Sequence, residues 1–555
     1  MQISLIALNA RYTHSCPALF YVRNVFSEAL PQSRISLHQL TINDPYYDTL
    51  VGITAEEPDV VCFSVSIWNV AMSLKLIADL RRILPRVPVI LGGPEASFMA
   101  PESLPAGCTV VRGEAEGLPS EFFSDLAGNS LQPEYRSRAG LPFALPYKES
   151  DFAGHLANRN IYYESSRGCP FACSYCLSSV TRGLRNLDLV QVKRELAAIL
   201  RHQPKIIRFV DRTFNADPGR ALEIWRFLLE EGGDTVCHFE IAPDLFTEEM
   251  FDFLKGVPRG RFQFEIGLQS TNPATLTAVN RRMDLGRARE NVGRLAANDN
   301  IHLHLDLILG LPFESEETFR VSLNEVFAMA PHYIQMGLLK ILPGTPISAQ
   351  TEEFGIVHSL SPPYSVLETR WLPHQRLQRL YWLGECLEAF HNNRFFRNVF
   401  AYLRKTEEEP FAFFVELLDV CRQHNFFSFA GTQELMGRML YALAQQRQDR
   451  ELFVELLRFD WLLSGQRLLP PYLEERPLRE TRDFLWHQLP ENFPPHYTSF
   501  GRSDFFKRTI FCRFSGRLLA ATGLADGDRD GYVCFLPEEK DSGVIKQQHH
   551  LLFTL

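Results

Sequence analysis

Three cysteines crowd one Gly- and Pro-flanked turn, "SSRGCPFACSYC", at positions 169, 173 and 176. A C-x3-C-x2-C spacing lets three thiolates wrap one metal centre, and thiolates are soft donors suited to zinc, copper(I) or iron–sulfur clusters. A structural zinc site needs four protein ligands, usually from paired C-x2-C knuckles, and no second pair lies nearby. A zinc or redox-sensing binding protein would need that fourth ligand. A [4Fe–4S] cube held by three cysteines leaves one iron open, and an open iron can bind a substrate. The remaining eight of the eleven cysteines are scattered singly and the total is odd, which reads as buried small hydrophobes in a reducing compartment.

A second set of polar residues repeats with the period of a strand. In "RFQFEIGLQ" (261–269) Phe262, Phe264, Ile266 and Leu268 share one face, and Gln263, Glu265, Gly267 and Gln269 share the other. In "HLHLDLILG" (302–310) His302, His304 and Asp306 oppose a leucine face. A closed eight-stranded barrel fills its interior with bulky apolar side chains, and these faces depart from that pattern. With helices outside, the polar faces are expected to point inward. Glu240, Gln269, Asp306 and Lys340 would then line a space for polar ligands, with Asp306 and Lys340 the candidate catalytic pair. The alternative for any one of them is a buried salt bridge.

These residues need elements to position them. Over the first 130 residues, short apolar strands alternate with amphipathic helices: "ISLIAL", "RISLHQLTI", "DVVCFSV", "PVILGG" and "TVVRGE" are the strands. That alternation predicts an α/β unit, a Rossmann-like doubly wound parallel sheet covered on both faces, over 1–135. Such sheets bind ligands beyond the carboxyl ends of their strands. Those ends carry "SVSIWN", "GGPEAS" and "RGEAEG", which makes Ser64, Ser66, Gly92, Gly93 and Gly113 candidate cofactor-binding residues; turn chemistry alone is the competing explanation. A Pro-rich linker over 136–157 leads to six further β/α units over 158–355, read as a TIM-like partial (β/α)6 barrel. The cysteine turn follows the first of those strands, at the carboxyl-end mouth where barrel chemistry occurs.

Residues 365–555 change character, to Phe- and Leu-rich amphipathic helices followed by a few short strands in "FKRTIFCRFS" and "YVCFLPEE". This third part reads as a mainly helical domain without a cofactor signature. At 555 residues, with 45% hydrophobic and 22% charged residues, the chain has the composition of ordinary globular protein. A formal charge of −9 argues against a broad nucleic-acid-binding face. No window approaches the apolar run of about 20 residues that a membrane span requires. "MQISLIALNA" lacks the basic and apolar regions of a signal peptide, so a cytoplasmic location is expected.

C-x3-C-x2-C with Tyr175 before its last cysteine, after the first strand of a β/α barrel, resembles the signature of the radical S-adenosylmethionine (SAM) superfamily. The resemblance implies that Cys169, Cys173 and Cys176 ligate a [4Fe–4S] cluster whose open iron is chelated by SAM. One electron, from a donor such as flavodoxin or ferredoxin, would cleave SAM to methionine and a 5′-deoxyadenosyl radical. It implies further that Tyr175 packs near adenine. Asp211 of "RFVD" stands where many members carry a Gly-Gly-Glu-like turn that contacts the methionine amino group, although the glycines are absent here. The first unit resembles the cobalamin-binding domain of the cobalamin-dependent members, with the glycine-bearing loops around the corrin's nucleotide tail. Members that ligate cobalt by histidine carry D-x-H-x-x-G; "YTHSCP" keeps His14 but has Tyr12 and Pro17 at the flanks, so cobalamin without a protein imidazole is expected. The tail of the chain resembles the uncharacterised C-terminal region of one subgroup. Radical chemistry on a small-molecule or modified-metabolite substrate follows from the resemblance, with methyl transfer to an unactivated carbon leading; the alternative is a radical SAM enzyme whose cobalamin-type domain serves only as a scaffold.

Overall fold

The computed structural model describes residues 1–99, 104–180, 183–474, 486–487, 489, 501–525, 529–537 and 550–554. In its first unit β1 (Gln2–Asn9), β2 (Arg34–Thr41), β3 (Val60–Ser64), β4 (Val89–Gly92), β5 (Cys108–Arg112) and β6 (Glu134–Arg136) form one sheet in the order 2-1-3-4-5-6. All its pairings are parallel. Its strands are apolar on both faces because helices cover both. α1 (Pro17–Ala29) and α4 (Ser120–Ala127) pack on the side of Leu5, Cys62 and Ile90, whereas α2 (Tyr46–Thr54) and α3 (Val70–Ile83) pack on the side of Ile6, Val61 and Leu91. The strand order reverses between β1 and β3, which opens a crevice at their carboxyl ends.

Five strands were expected here, and β6 is a sixth. It escapes the periodicity because only three residues pair, anchored by Tyr135, which is buried against Phe122 and donates to Asp125 Oδ2 at 2.6 Å. The linker that follows is a packed strap. Phe143 and Tyr147 are buried in it, and Arg23 of α1 forks onto Asp151 at 2.6 and 2.8 Å.

The second unit is an open parallel sheet of six strands. Its order is β14-β13-β12-β11-β10-β7, from β7 (Ile161–Tyr163), β10 (Ile206–Phe209), β11 (Val236–Ile241), β12 (Phe262–Gln269), β13 (His302–Leu309) and β14 (Tyr333–Leu338). Along β13 the leucines at 303, 305, 307 and 309 are buried under the outer helices, and His302, His304 and Asp306 face inward. Between β7 and β10 stands a hairpin that periodicity did not reveal, β8 (Ser166–Cys169) against β9 (Gly183–Asn186), antiparallel. It requires Gly168, whose φ is +92° and whose Cβ would lie 2.0 Å from the Gly183 carbonyl oxygen.

The two sheets meet at both ends of the open barrel. Near β7, Arg159 donates to the Tyr12 and His14 carbonyls at 2.6 and 2.7 Å; beyond β14, the Tyr364 hydroxyl donates to Glu95. The carboxyl edge of the first sheet therefore spans the barrel mouth. The C-terminal part is helical over 374–387, 397–403, 410–423, 433–444 and 450–463. An antiparallel sheet of Ile510–Phe514, Gly531–Pro537 and His550–Thr554 follows; the last two residues of "YVCFLPEE" lie outside the described residues. Among the described residues no helix is long and apolar enough to cross a membrane.

Candidate functional site

The cysteine turn is held from outside itself. Ser174 N–H donates to the Val279 carbonyl at 2.9 Å, Asn280 Nδ2 donates to the Ala172 carbonyl at 2.9 Å, and Ile347 N–H donates to the Ser174 carbonyl at 3.0 Å. Cys173 is buried, Cys169 and Cys176 are half-buried, and all three are free thiols. Cys169 Sγ stands 3.5 Å from Thr213 Oγ1. Among the described residues no three His, Cys, Asp or Glu side chains converge on a single ion. Three thiols on one ribbon are the soft donor set of a thiolate-held cluster.

Arg281 is the residue that reading along the chain missed. Its Nη1 donates to Cys173 Sγ at 3.6 Å and to the Tyr175 hydroxyl at 3.4 Å, and its Nη2 donates to the Gly267 carbonyl. Burial opposes its charge, but the Tyr175 and Cys173 groups beside it raise its pKa and keep it a cation. Its Nε has no hydrogen-bond partner. Nothing in "NRRMD" marks one arginine over its neighbour, and the 108 positions that separate Arg281 from Cys173 close only in the fold.

At the end of β12 the register slips between Gly267 and Gln269, and Gln269 takes a left-handed φ of +71°. A non-glycine residue there is strained, a condition found at ligand clamps. Gly267 makes it feasible: a Cβ would lie 2.2 Å from Gln269 Nε2 and 3.6 Å from Arg281 Nη2. Gln269 Oε1 is buried without a partner. Asp306, opposite Gly267 across the β12–β13 ladder, has Oδ1 at 3.1 Å from His304 Nε2 but out of line for a hydrogen bond. Burial raises the Asp306 carboxyl above its ordinary value, and His304 opposes the shift. Glu240 is pushed up to about 7 by burial, against Arg212 at 3.8 Å. Buried acceptors and a donor without partners, grouped beside the cysteine turn, fit a small polar ligand seated among them.

Two of the expected contact residues have protein partners of their own. Asp211 is buried and accepts from Ser165 N–H at 2.9 Å, Ser165 Oγ at 2.5 Å and Ser166 Oγ at 2.7 Å, so it braces the turn into β8. Ser66 N–H donates to Asn69 Oδ1 at 2.8 Å in the buried turn before α3, away from the cavity described next. Lys340 lies beyond β14, exposed, in an isolated bridge to Ser365.

A cavity of about 800 Å³ opens between the two units. Ser64, Gly92, Gly93 and Gly113 of the first sheet's carboxyl edge line it, and so do Gly168, Gly183 and Arg212 on the barrel side. Arg167 gathers its mouth: it meets Glu114 at 3.2 Å and Glu116 and Glu164 at 2.9 Å, with its guanidinium 4.3 Å from the Phe143 ring centre. A Cβ on Gly92 would come no nearer than 4.0 Å to any neighbour, so space is left open there. His14 is not on this wall. Its Nδ1 is 2.5 Å from the Tyr162 hydroxyl, and burial, with Arg208 and Arg11, lowers its pKa and keeps it neutral.

Comparison with known proteins falls on the same divisions. Residues 3–122 match the B12 binding domain, and residues 163–326, which include the cysteine ribbon, match the radical SAM superfamily. The chain is a radical SAM protein with a B12-binding domain. Residues 352–527 match a protein family of unknown function, DUF4080. This radical SAM protein is 25% identical over 406 residues to the cobalamin-dependent radical SAM methyltransferase TokK of Streptomyces tokunonensis, covering 63% of the chain and 59% of the relative. It is 24% identical over 435 residues to 2-(S-pantetheinyl)-carbapenam-3-carboxylate methyltransferase of Streptantibioticus cattleyicolor, covering 68% of the chain and 63% of the relative. It thus spans about three fifths of the length of these curated relatives. In fold it resembles the cobalamin-dependent SAM radical enzyme OxsB with aqua-cobalamin and SAM bound, at a TM-score of 0.57 and 11% identity over 91% of the chain and 83% of that structure. The radical SAM methyltransferase TsrM of Kitasatospora setae, with cobalamin and a [4Fe–4S] cluster bound, gives 0.50 at 17% identity over 64% and 76%.

Proposed function

We propose that this protein is a cobalamin-dependent methyltransferase that transfers a methyl group to an unactivated carbon of a small molecule, with an electron drawn from a cytoplasmic donor such as flavodoxin or ferredoxin. One observation carries the reading: the cavity that starts at the glycine-bearing edge of the first sheet is walled on the barrel side by Gly168, Leu177 and Ser178, the chain neighbours of Cys169 and Cys176, so the two cofactor seats adjoin. When bound, the cluster supplies reductive cleavage of SAM and the corrinoid supplies methyl relay. The chain's own residues do the rest.

Cys169, Cys173 and Cys176 hold the cluster. Arg281 and Gln269 offer a cation and an acceptor to the polar groups of SAM, Asp306 stands beside them against His304, and Tyr175 lies alongside as the partner for its adenine. Glu240, whose carboxyl burial pushes up to about 7, can hold or release a proton in the barrel, and Lys340, exposed beyond β14, is the candidate cation for the substrate. Ser64, Gly92, Gly93 and Gly113 form the corrinoid's rim. His14 is engaged by Tyr162 and would not be offered as an imidazole to a bound corrinoid. Residues 1–135, 136–157, 158–355 and 365–555 are the corresponding domain, strap, barrel and C-terminal domain.

The test is compositional and chemical. Anaerobically reconstituted protein is expected to hold about four irons per chain together with one corrinoid, and to convert SAM to 5′-deoxyadenosine under a strong reductant. Cys169→Ala, Cys173→Ala and Cys176→Ala should each lose the iron. Iron without corrinoid would assign the first domain a scaffold role, and zinc in place of iron would refute the reading.

A further inference from the structure

The inner end of the cavity is built differently from its mouth. Leu5, Cys62 and Ile90 pair across β1, β3 and β4 in one register row and form the floor. The next row towards the carboxyl edge is Ser64, Gly92 and, one residue on from the Leu91–Val110 pair, Val111. The opposite wall is Leu19, Val22 and Phe26, which share one face of α1 at helical spacing, with Phe122 of α4 beside them. Among the described residues the charged ones of the cavity, Glu114, Glu116, Glu164, Arg167, Arg185 and Arg212, belong to the mouth and the barrel side. The floor's main-chain groups are engaged in the parallel ladder. Its one heteroatom side chain is the Cys62 thiol, which burial pushes up to about 12, so it remains a weak S–H donor.

A flat group in this slot meets carbon over most of its surface, with the Cys62 thiol and, at the next row, the Ser64 hydroxyl as the heteroatoms beside it. We propose that the slot selects the lower base of the corrinoid by polarity: it takes an apolar base such as dimethylbenzimidazole and discriminates against adenine, the lower base of adeninyl cobamides. The inference rests on the cobalamin reading above and goes beyond it to name which cobamides the site accepts. Adenine and dimethylbenzimidazole are similar in size, so the discrimination is not steric. Adenine carries an amino group and ring nitrogens that water satisfies in solution. Seated between Leu5, Ile90, Val22 and Phe26 they outnumber the thiol and hydroxyl beside them, whereas dimethylbenzimidazole brings a single ring nitrogen, and an unsatisfied buried polar group weakens binding.

The experiment is equilibrium dialysis of the anaerobically reconstituted full chain against cobalamin, an adeninyl cobamide and a cresolyl cobamide. Cobalamin is expected to bind at least tenfold more tightly than the adeninyl form, and the cresolyl form, apolar as well, should fall within a few-fold of cobalamin. Cys62→Ser places a stronger donor on the floor and should narrow the cobalamin-to-adeninyl ratio at least threefold. Adeninyl binding equal to or tighter than cobalamin overturns the selectivity, and an unchanged ratio in Cys62→Ser overturns its assignment to this floor. Retention of no cobamide at all would remove the inference together with the cobalamin reading, so the two failures are distinguishable.

Discussion

Gly92 and Gly93 are neighbours with opposite reasons to be glycine, and substitutions at the two should fail in opposite ways. Gly93 has a φ of +104°, and a Cβ there would stand 2.6 Å from the Val65 carbonyl oxygen and 3.0 Å from its nitrogen. The left-handed conformation alone costs an L-residue about 1–2 kcal/mol. Displacement of the Val65 main chain, which accepts from Glu95 N–H at 3.1 Å, adds to that, so Gly93→Ala should destabilise the first domain by about 2–3 kcal/mol. Gly92 ends β4 without a positive φ, and no atom lies within contact of its absent Cβ. Gly92→Leu should leave stability within about 0.5 kcal/mol or raise it, since strand glycine is itself unfavourable. The leucine would fill the slot, though, and corrinoid affinity should fall at least about 100-fold, or about 2.7 kcal/mol. Urea unfolding of the corrinoid-free proteins and dialysis against cobalamin read the two effects separately. Gly92→Leu binding cobalamin within threefold of the parent would refute the placement of the corrinoid tail, and an unchanged unfolding midpoint in Gly93→Ala would refute the close-approach argument.

Two further outcomes are expected. Arg281→Met should keep the cluster, because the cysteines are untouched, but weaken SAM binding at least tenfold; the measurement is the change that SAM produces in the electron paramagnetic resonance spectrum of the reduced cluster, and an unaltered SAM dependence would exclude Arg281 from the SAM seat. Glu314 is fully buried, its Oε1 accepts from Ser270 Oγ at 2.6 Å, its Oε2 has no partner, and burial pushes its carboxyl up to about 8. A folded value above the unfolded one means that stability is complete below the unfolded value and is lost as pH rises through about 8. Relative to Glu314→Gln, the parent should lose up to about 4 kcal/mol between about pH 5 and about pH 9, at about 1.36 kcal/mol per unit; a difference in unfolding free energy that is flat with pH would show that Glu314 stays ionised.

The parts of the site that lie close along the chain were legible, because their signal is local. The cysteine spacing sits within eight positions, and the alternation of "HLHLDLILG" follows from the pleat, which sends every second side chain to the same face whatever the rest of the molecule does. The partners of Asp211 and Ser66 were not legible for a complementary reason. Both lie on carboxyl edges that face ligands in general, but whether a side chain there is free depends on which neighbours reach it, and Ser165, Ser166 and Asn69 reach these two first.

From the sequence alone came two α/β units in tandem, a thiolate ribbon at the start of the second, and a polar interior for its sheet, since composition and period decide which faces must be buried. Only the tertiary structure decided what completes the site. Arg281 reaches Cys173 and Gly267 across long stretches of chain; the hairpin that carries Cys169 depends on pairing with β9; and the chamber exists because Arg167 joins loops of both units. Each of these is a contact between segments distant in sequence, closed by the packing of whole sheets, and no local pattern of residue types encodes which distant partner will arrive.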